Sequence, residues 1–160
     1  MRVVLTAVGR MKDAPERALL ERYCDRLKAA GRGLGWGPVS VIEVPESRAP
    51  DAEDRRRDEA ERLLAKAGPR DLTIALDEKG RSLESAAFAT YLRTRQESGA
   101  RTLCLLVGGP DGHGAAAISA ADLVLSLGPM TFPHMLARVL VAEQLYRAAT
   151  ILSGHPYHRA

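Results

Sequence analysis

The sequence predicts an α/β fold in which a single parallel sheet is flanked by helices. Short apolar runs alternate with longer amphipathic segments along the chain, and this alternation is typical of a parallel sheet covered by helices. The run at residues 103–107 is apolar throughout and bounded by turn residues, which indicates a strand buried on both faces. With 160 residues the chain can bury a substantial core, and we expect one domain over residues 1–160.

The first half of the chain is predicted to form two strands and two helices. An apolar strand over residues 3–8 comes first, and Asp13 caps a helix that extends to about residue 29. The glycine-rich residues 31–38 are predicted to be a flexible connection to a second strand over residues 39–44. A strongly charged helix over residues 52–67 follows, and Gly68 ends it.

The second half continues the alternation of strands and helices. A third strand over residues 72–76 ends in a turn at residues 77–80, and Ser82 caps the helix that follows. The buried strand at residues 103–107 comes next. A last short strand is predicted over residues 123–127.

A long helix from Pro133 to about residue 152 is the last predicted element. It is apolar on nearly every side, so we expect the sheet to cover one side and a second copy of the chain to cover the other. This pattern predicts a homodimer. Glu143 and Arg147 are four residues apart on this helix and are predicted to form a surface salt bridge.

A glycine-rich loop follows the buried strand and is the first candidate for a binding site. It contains Gly108, Gly109, Gly112 and Gly114. Glycine permits positive φ and close approach of the backbone to a ligand, and ligands of open parallel sheets bind beside the carboxyl ends of the strands. The alternative is a tight turn that needs glycine only for its conformation. The loop lacks the lysine and hydroxyl residue of a P-loop and does not fit the dinucleotide-binding glycine pattern.

Charge and cysteine content limit the classes of function. The formal net charge of +3 permits binding to nucleic acid without by itself indicating it. The run at residues 55–57 is three arginines next to acidic residues, which is typical of a solvated helix face, with RNA contact as the alternative. Cys24 and Cys104 are predicted to be small buried residues in a reducing compartment. No segment has signal-peptide or membrane-spanning character, and we expect a cytoplasmic protein.

All four histidines lie in two regions of the chain. His113 is in the glycine-rich loop, and His134, His155 and His158 are in the last thirty or so residues. The C-terminal segment combines a candidate general base, an aromatic ring and a cation within five residues, whereas chain ends are usually frayed and polar. Metal binding by two tail histidines is a weaker hypothesis, because the tail contains no carboxylate or cysteine side chain to complete a site.

Four motifs together resemble one known family. They are the strand ending in Gly108, Gly109 and Pro110, the sequence MTFPH at residues 130–134, RVLVAEQLYRA at 138–148, and HPYHR at 155–159. The chain is similar over its whole length to the ribosomal RNA large-subunit methyltransferase H family of the SPOUT class. The resemblance implies an α/β fold with a C-terminal trefoil knot, a homodimer, and S-adenosylmethionine as cofactor.

The resemblance also implies the positions of the site residues. The cofactor pocket would be formed by Leu76, Gly108, Gly109, Leu127, Gly128, Pro129, Met130, Thr131 and Phe132. In that family the substrate is a pseudouridine in a stem-loop of 23S ribosomal RNA, methylated at N3 without a metal ion. His158 is then the expected base for the N3 proton, and Tyr157 the ring that stacks on the target base. Arg138 and Arg159 are expected to contact phosphate or base carbonyl groups.

Two alternatives to this function stay open. The same fold could methylate another RNA, such as transfer RNA, because a fold does not determine a substrate. The chain could also be a non-enzymatic RNA-binding factor in ribosome assembly. Intact cofactor-loop segments and the complete C-terminal motif favour the enzyme.

Overall fold

The computed structural model describes residues 1–12, 14–68 and 71–158. It contains a sheet of five strands: β1 (Arg2–Val8), β2 (Val39–Val44), β3 (Leu72–Ser82), β4 (Thr102–Val107) and β5 (Leu123–Ser126). The strands pair in parallel in the order β2-β1-β4-β3-β5. The predicted parallel sheet is therefore confirmed.

Helices cover both faces of this sheet. They are α1 (Pro15–Gly31), α2 (Ala52–Leu64), α3 (Ser85–Glu97), α4 (Ala115–Ala120) and α5 (His134–Ser153). The helices α1, α3 and α5 pack together on one face, and α2 packs with α4 on the other. The six-residue α4 is an element that the sequence patterns did not predict. None of the helices in the described part of the chain is long and apolar enough to cross a membrane.

The strand β4 lies in the centre of the sheet and joins the two halves of the core. Leu103, Leu105 and Val107 face the cluster under α1, α3 and α5, whereas Cys104 and Leu106 face the cluster under α2 and α4. Alternate side chains of a strand point to opposite faces, so a central strand with helices on both sides must be apolar throughout. Full burial of one leucine side chain contributes roughly 1.5–3 kcal/mol.

The glycine-rich connection after α1 is a packed segment, so the prediction of a flexible connection is wrong. Residues Arg32–Leu34 form a short 3₁₀ helix. Trp36 is buried in the core, and its indole Nε1 donates a hydrogen bond of 2.6 Å to Gln96. A Cβ atom at Gly31 would lie 2.8 Å from the Trp36 Cβ atom. Glycine at this position is therefore a requirement of packing against the tryptophan.

The third strand is longer than predicted. Residues 77–80, predicted to form a turn, belong to β3, and Arg81 and Ser82 pair with β5 after an irregularity in register. Gly80 lies against β5, because a Cβ atom there would be 2.7 Å from the Val124 carbonyl oxygen. The predicted cap at Ser82 is also wrong: α3 begins at Ser85, and its N-cap residue is Glu84.

Two further predictions concern α1. The helix begins at Pro15, a residue that fits the first turn because it has no amide hydrogen to leave unpaired. The predicted cap, Asp13, lies outside the described residues. Cys24 on this helix and Cys104 on β4 are buried free thiols, which confirms the predicted burial of both. Burial raises the pKa of Cys24 to about 11.

The apolar surface of the long helix α5 is covered by other elements of the same chain more fully than its composition suggested. Besides the sheet, α1 packs along it through Leu20 and Cys24, which contact Val139 and Ala142. The apolar pattern of α5 alone is therefore weaker support for a homodimer than the sequence implied. The C-terminal trefoil knot stays a prediction.

Candidate functional site

A cavity of about 470 Å³ lies at the carboxyl ends of β3, β4 and β5. Three segments form most of its wall: residues 76–79 of β3, residues 107–113 at the end of β4, and residues 126–128 and 130–132 at the end of β5. His134 and Ala137 at the start of α5 and Arg56 of α2 complete the lining. The carboxyl ends of parallel strands meet at one edge of a sheet, which is where such folds bind ligands.

All of the residues predicted to form the cofactor pocket, except Pro129, line this cavity. They are Leu76, Gly108, Gly109, Leu127, Gly128, Met130, Thr131 and Phe132. They come from three separate segments of the chain, and the sheet order places β3 between β4 and β5. The structure thus brings the predicted set together at one place.

The glycine turn, residues 109–112, forms one side of the cavity. The Gly112 amide donates a hydrogen bond of 3.0 Å to the Gly109 carbonyl, with Pro110 and Asp111 at the corners. Gly112 has a φ of +81°, a conformation that side chains other than glycine rarely adopt. Proline in the second position and glycine in the fourth are typical of such turns.

Gly109 lies against the protein's own interior. A Cβ atom there would be 2.8 Å from Oε2 of Glu59 and 3.0 Å from Cγ1 of Val8. A side chain at this position must therefore displace the glycine turn or the residues beneath it. The preference for glycine at this position therefore comes from packing against Glu59 and Val8.

Glu59 is a buried carboxylate beneath the glycine turn that the sequence analysis did not single out. It is 3% exposed, and its Oε1 accepts a hydrogen bond of 2.9 Å from the Ser47 amide. Its Oε2 has no hydrogen-bond partner among the described residues. Burial raises the pKa of Glu59 above its ordinary value. The sequence did carry a sign of this burial: Glu59 is four residues before Leu63, and this spacing places it on the apolar side of α2.

The three arginines at residues 55–57 of α2 form ion pairs with carboxylates of the same chain. Arg55 pairs with Asp111 of the glycine turn at 2.7 Å, and this hydrogen bond lowers the pKa of Asp111 below its ordinary value. Arg56 pairs with Glu53, and Arg57 pairs with Asp54. The run therefore pairs with acidic residues of the same chain, and two of its members reach the cavity: Arg55 through Asp111, and Arg56 as part of the lining.

His113 lines the cavity beside the glycine turn. Both of its ring nitrogens are buried, and neither has a hydrogen-bond partner in the part of the chain that the structure describes. Burial lowers the pKa of His113, and the nearby Asp77 only partly offsets this effect. Burial likewise lowers the pKa of His134, as does the charge of Arg138. Both imidazoles are therefore neutral near pH 7.

Arg138 is fully buried, and this placement argues against the predicted contact with RNA. Its guanidinium donates to the Val8 carbonyl, and its Nη1 lies 3.3 Å from Oε1 of Glu43. It therefore ties α5 to the ends of β1 and β2. The sequence did not indicate this burial, because an arginine on a helix is usually exposed and the partners of Arg138 are distant in the chain.

The C-terminal tail is held on the middle of α5. The Tyr157 hydroxyl donates a hydrogen bond of 3.1 Å to Glu143, and its ring centroid lies 4.6 Å from that of Tyr146. Arg147 lies over the Tyr157 ring at 5.0 Å and pairs with Glu143 at 2.6 Å. The predicted Glu143–Arg147 pair is confirmed, although it is partly buried. The pKa of Tyr157 is raised to about 12, mainly by burial and secondly by the hydrogen bond to Glu143.

Within one chain the structure does not bring the tail to the cavity. No tail residue up to His158 lines the cavity, and Arg159 lies outside the described residues. Ala137 at the cavity and Tyr146 under the tail are about 13 Å apart along α5, at 1.5 Å per residue. His158 is partly buried, and its Nδ1 has no partner among the described residues.

Comparison with known proteins agrees with this architecture. A family model described as "Predicted SPOUT methyltransferase" matches residues 1–158. The chain is 52% identical to the ribosomal RNA large subunit methyltransferase H of Brucella anthropi and 52% identical to that of Rhizobium meliloti, with both chains covered in full. It is 50% identical to the protein of the same name from Brucella melitensis biotype 2, again over the full length of both. These matches confirm the resemblance seen in the motifs: the chain belongs to the SPOUT methyltransferase family.

Proposed function

We propose that this protein transfers a methyl group from S-adenosylmethionine to N3 of a pseudouridine in a stem-loop of 23S ribosomal RNA. The observation that carries the proposal is the cavity at the strand ends, whose wall contains the residues expected of the family's cofactor pocket. Relatives at 50–52% identity are named as methyltransferases of large-subunit ribosomal RNA, which supports the choice of RNA. A ribosomal substrate would place the protein in the cytoplasm.

The cavity fits S-adenosylmethionine in size and chemistry. About 470 Å³ lies within the usual range for pockets that bind small molecules, roughly 300–1,000 Å³. Leu76, Val107 and Leu127 offer apolar surface for a purine ring, and the acidic residues Asp77 and Glu78 are also in the lining. Arg56 and Lys79 also line the cavity, and charged residues of both signs suit a ligand that carries sulfonium, ammonium and carboxylate groups.

The protein's contribution is chiefly to position the target and remove its proton. S-adenosylmethionine, when bound, supplies an activated methyl group. The residues around the cavity need to hold the RNA nitrogen in line with that group, at about 3–3.5 Å. We propose that His158 accepts the N3 proton and that Tyr157 stacks on the extruded base. Arg159 would contact phosphate, whereas Arg138 is assigned a structural role by its burial.

We further propose a homodimer in which the tail of one copy serves the cavity of the other. Within one chain the tail lies on α5, away from the cavity, so a second copy offers a direct way to combine them. Met130, Phe132 and Leu136 are large apolar side chains exposed around the start of α5, and they suit a second protein surface. Light scattering after size exclusion should report about twice the chain mass of 17.3 kDa. A monomer at micromolar concentration would contradict this arrangement.

The function is tested by supplying labelled S-adenosylmethionine with three substrates in separate reactions: ribosomes, naked ribosomal RNA and transfer RNA. We expect label in 23S RNA, located by mass spectrometry at N3 of one pseudouridine. Label only in transfer RNA would support the alternative substrate. Binding to ribosomal RNA without transfer to any RNA would support the assembly factor.

A further inference from the structure

The glycine turn, residues 109–112, has little of its own to hold it in place. It contains one internal hydrogen bond, from the Gly112 amide to the Gly109 carbonyl, and two glycines. Glycine backbones have many accessible conformations, and fixing one residue costs roughly 1–2 kcal/mol of conformational entropy. Since this turn lines the cavity, its order before a ligand binds affects how tightly the ligand is held.

Two guanidiniums of α2 contact this turn: Arg55 holds the Asp111 carboxylate, and Arg56 Nη1 makes a longer contact of 3.5 Å with the Asp111 carbonyl. Arg55 Nε donates to Oδ2 of Asp111 at 2.7 Å, and Nη2 donates to Oδ1 at 3.4 Å. The third nitrogen, Nη1, donates to the carbonyls of Ala49 and Pro50 at 3.1 Å and 2.9 Å. All three guanidinium nitrogens therefore donate hydrogen bonds. Because the planar guanidinium is held by the two carbonyls, it fixes the position of the Asp111 carboxylate.

The helix that carries Arg55 has a fixed start. Asp51 caps α2 by accepting hydrogen bonds from the amides of Glu53 and Asp54. At the other end of the glycine-rich loop, Gly114 lies directly against α2, where a Cβ atom would be 2.6 Å from the Arg56 carbonyl oxygen. The first turns of α2 are therefore a rigid support beside the loop.

We propose that Arg55 is a positioning residue: through its ion pair with Asp111 it orders the glycine turn and so sets the affinity for the ligand of the cavity. The ligand assignment rests on the proposed function, in which that ligand is S-adenosylmethionine. Loss of Arg55 should weaken cofactor binding and raise the KM for the cofactor, while kcat at saturating cofactor stays near the wild-type value.

The same helix supplies a matched control. Arg57 pairs with Asp54 at 2.7 Å, but both residues belong to α2 and the pair does not reach the cavity wall. Arg57→Ala therefore removes an arginine and an ion pair of the same length without affecting the glycine turn. A general effect of charge or helix stability would appear in both variants.

The first test is amide hydrogen exchange of the cofactor-free protein. In Arg55→Ala we expect faster exchange at the Gly112 amide and in residues 108–114 than in wild type or Arg57→Ala. Equal protection in the three proteins would overturn the proposal. This readout does not depend on the identity of the ligand, so it decides the role of Arg55 even if the wild-type protein fails to bind S-adenosylmethionine and the proposed function is wrong.

The second test is calorimetric titration with S-adenosylmethionine. We expect Arg55→Ala to raise the Kd about tenfold, the effect of having to order roughly one residue on binding. Arg55→Lys, which keeps the charge but not the fork, should lie between wild type and Arg55→Ala. In a double-mutant cycle, Asp111→Ala should add little to Arg55→Ala, because both remove the same ion pair. Additive losses, or a wild-type Kd in Arg55→Ala, would contradict the assignment.

Discussion

The strand-end cavity and the C-terminal tail are built in different ways. The cavity wall consists mainly of residues at the ends of three adjacent strands, and its position is determined by the sheet. The tail has no regular structure and is held by the contacts of Tyr157 with Glu143, Tyr146 and Arg147 on α5. The two regions share no described residue. We therefore expect mutations to separate cofactor binding from methyl transfer to RNA.

Deletion of residues 157–160 should have the largest effect on the reaction. Methyl transfer should fall by about 10² to 10⁴, the usual contribution of a general base, because the deletion removes His158. His158→Ala is the milder change and should lower the rate less than the deletion, because it removes the proposed base but keeps Tyr157. The rates are measured with ribosomal RNA under saturating cofactor. A truncated protein as active as wild type would contradict this prediction and show that the tail has only a structural role.

Gly109→Val should have the next largest effect. Even a Cβ atom at this position comes within 2.8 Å of Glu59, so the glycine turn or the Glu59 and Val8 side chains beneath it must move. A displacement of about 1 Å in such a site can reduce the rate by roughly 10². Gly33→Val is the matched control, because Gly33 has no atom within 4 Å of its Cβ position and lacks a positive φ. Transfer rates and circular dichroism of both variants check the prediction, and similar rates would contradict it.

Tyr157→Phe should produce a smaller effect, on stability. The variant keeps the ring against Tyr146 but loses the hydrogen bond to Glu143, and this should lower the free energy of unfolding by about 0.5–1.5 kcal/mol. Urea denaturation measures the change. Because the stacking ring is kept, the methyl-transfer rate should stay near the wild-type value. A large loss of rate would instead show that the hydroxyl takes part in the reaction.

His113→Leu should give the smallest effect, confined to acidic pH. Burial lowers the pKa of His113 below its ordinary 6.5, so the unfolded chain gains this proton before the folded chain does. Stability should therefore fall as the pH drops below about 6.5, and the loss should stop growing below the folded-state pKa. Unfolding free energies at pH 7.5 and 5.5 should differ less in the leucine variant. An unchanged difference would assign the acid sensitivity to other groups, such as His134.

The sheet and the cavity could be predicted because they follow from repeating patterns. Alternation of apolar runs with amphipathic segments determines the sheet, and the position of glycines after a buried strand indicates its ligand-binding edge. Periodicity does not reveal very short helices. The helix α4 was missed because its six residues are too few to show a helical period. The polar residues 77–80 were similarly taken for a turn although they continue β3.

The charged residues around the cavity could not be placed from the sequence. Arg138 and Glu59 lie on helices, where charged side chains are normally solvated, and their burial depends on Val8, Glu43 and Ser47 from other parts of the chain. The same holds for the pairing of Arg55 with Asp111. Such contacts are made by single side chains and leave no periodic signal.

The most direct test of the separation between cavity and tail is a calorimetric titration of S-adenosylmethionine into two folded variants, the deletion of residues 157–160 and Gly109→Val. We predict that the truncated protein binds the cofactor with nearly wild-type affinity, because no described tail residue lines the cavity. Gly109→Val should show little or no binding, because its side chain displaces the cavity wall. The opposite result, with binding lost on truncation and kept in Gly109→Val, would contradict the assignment of the cofactor to the strand ends.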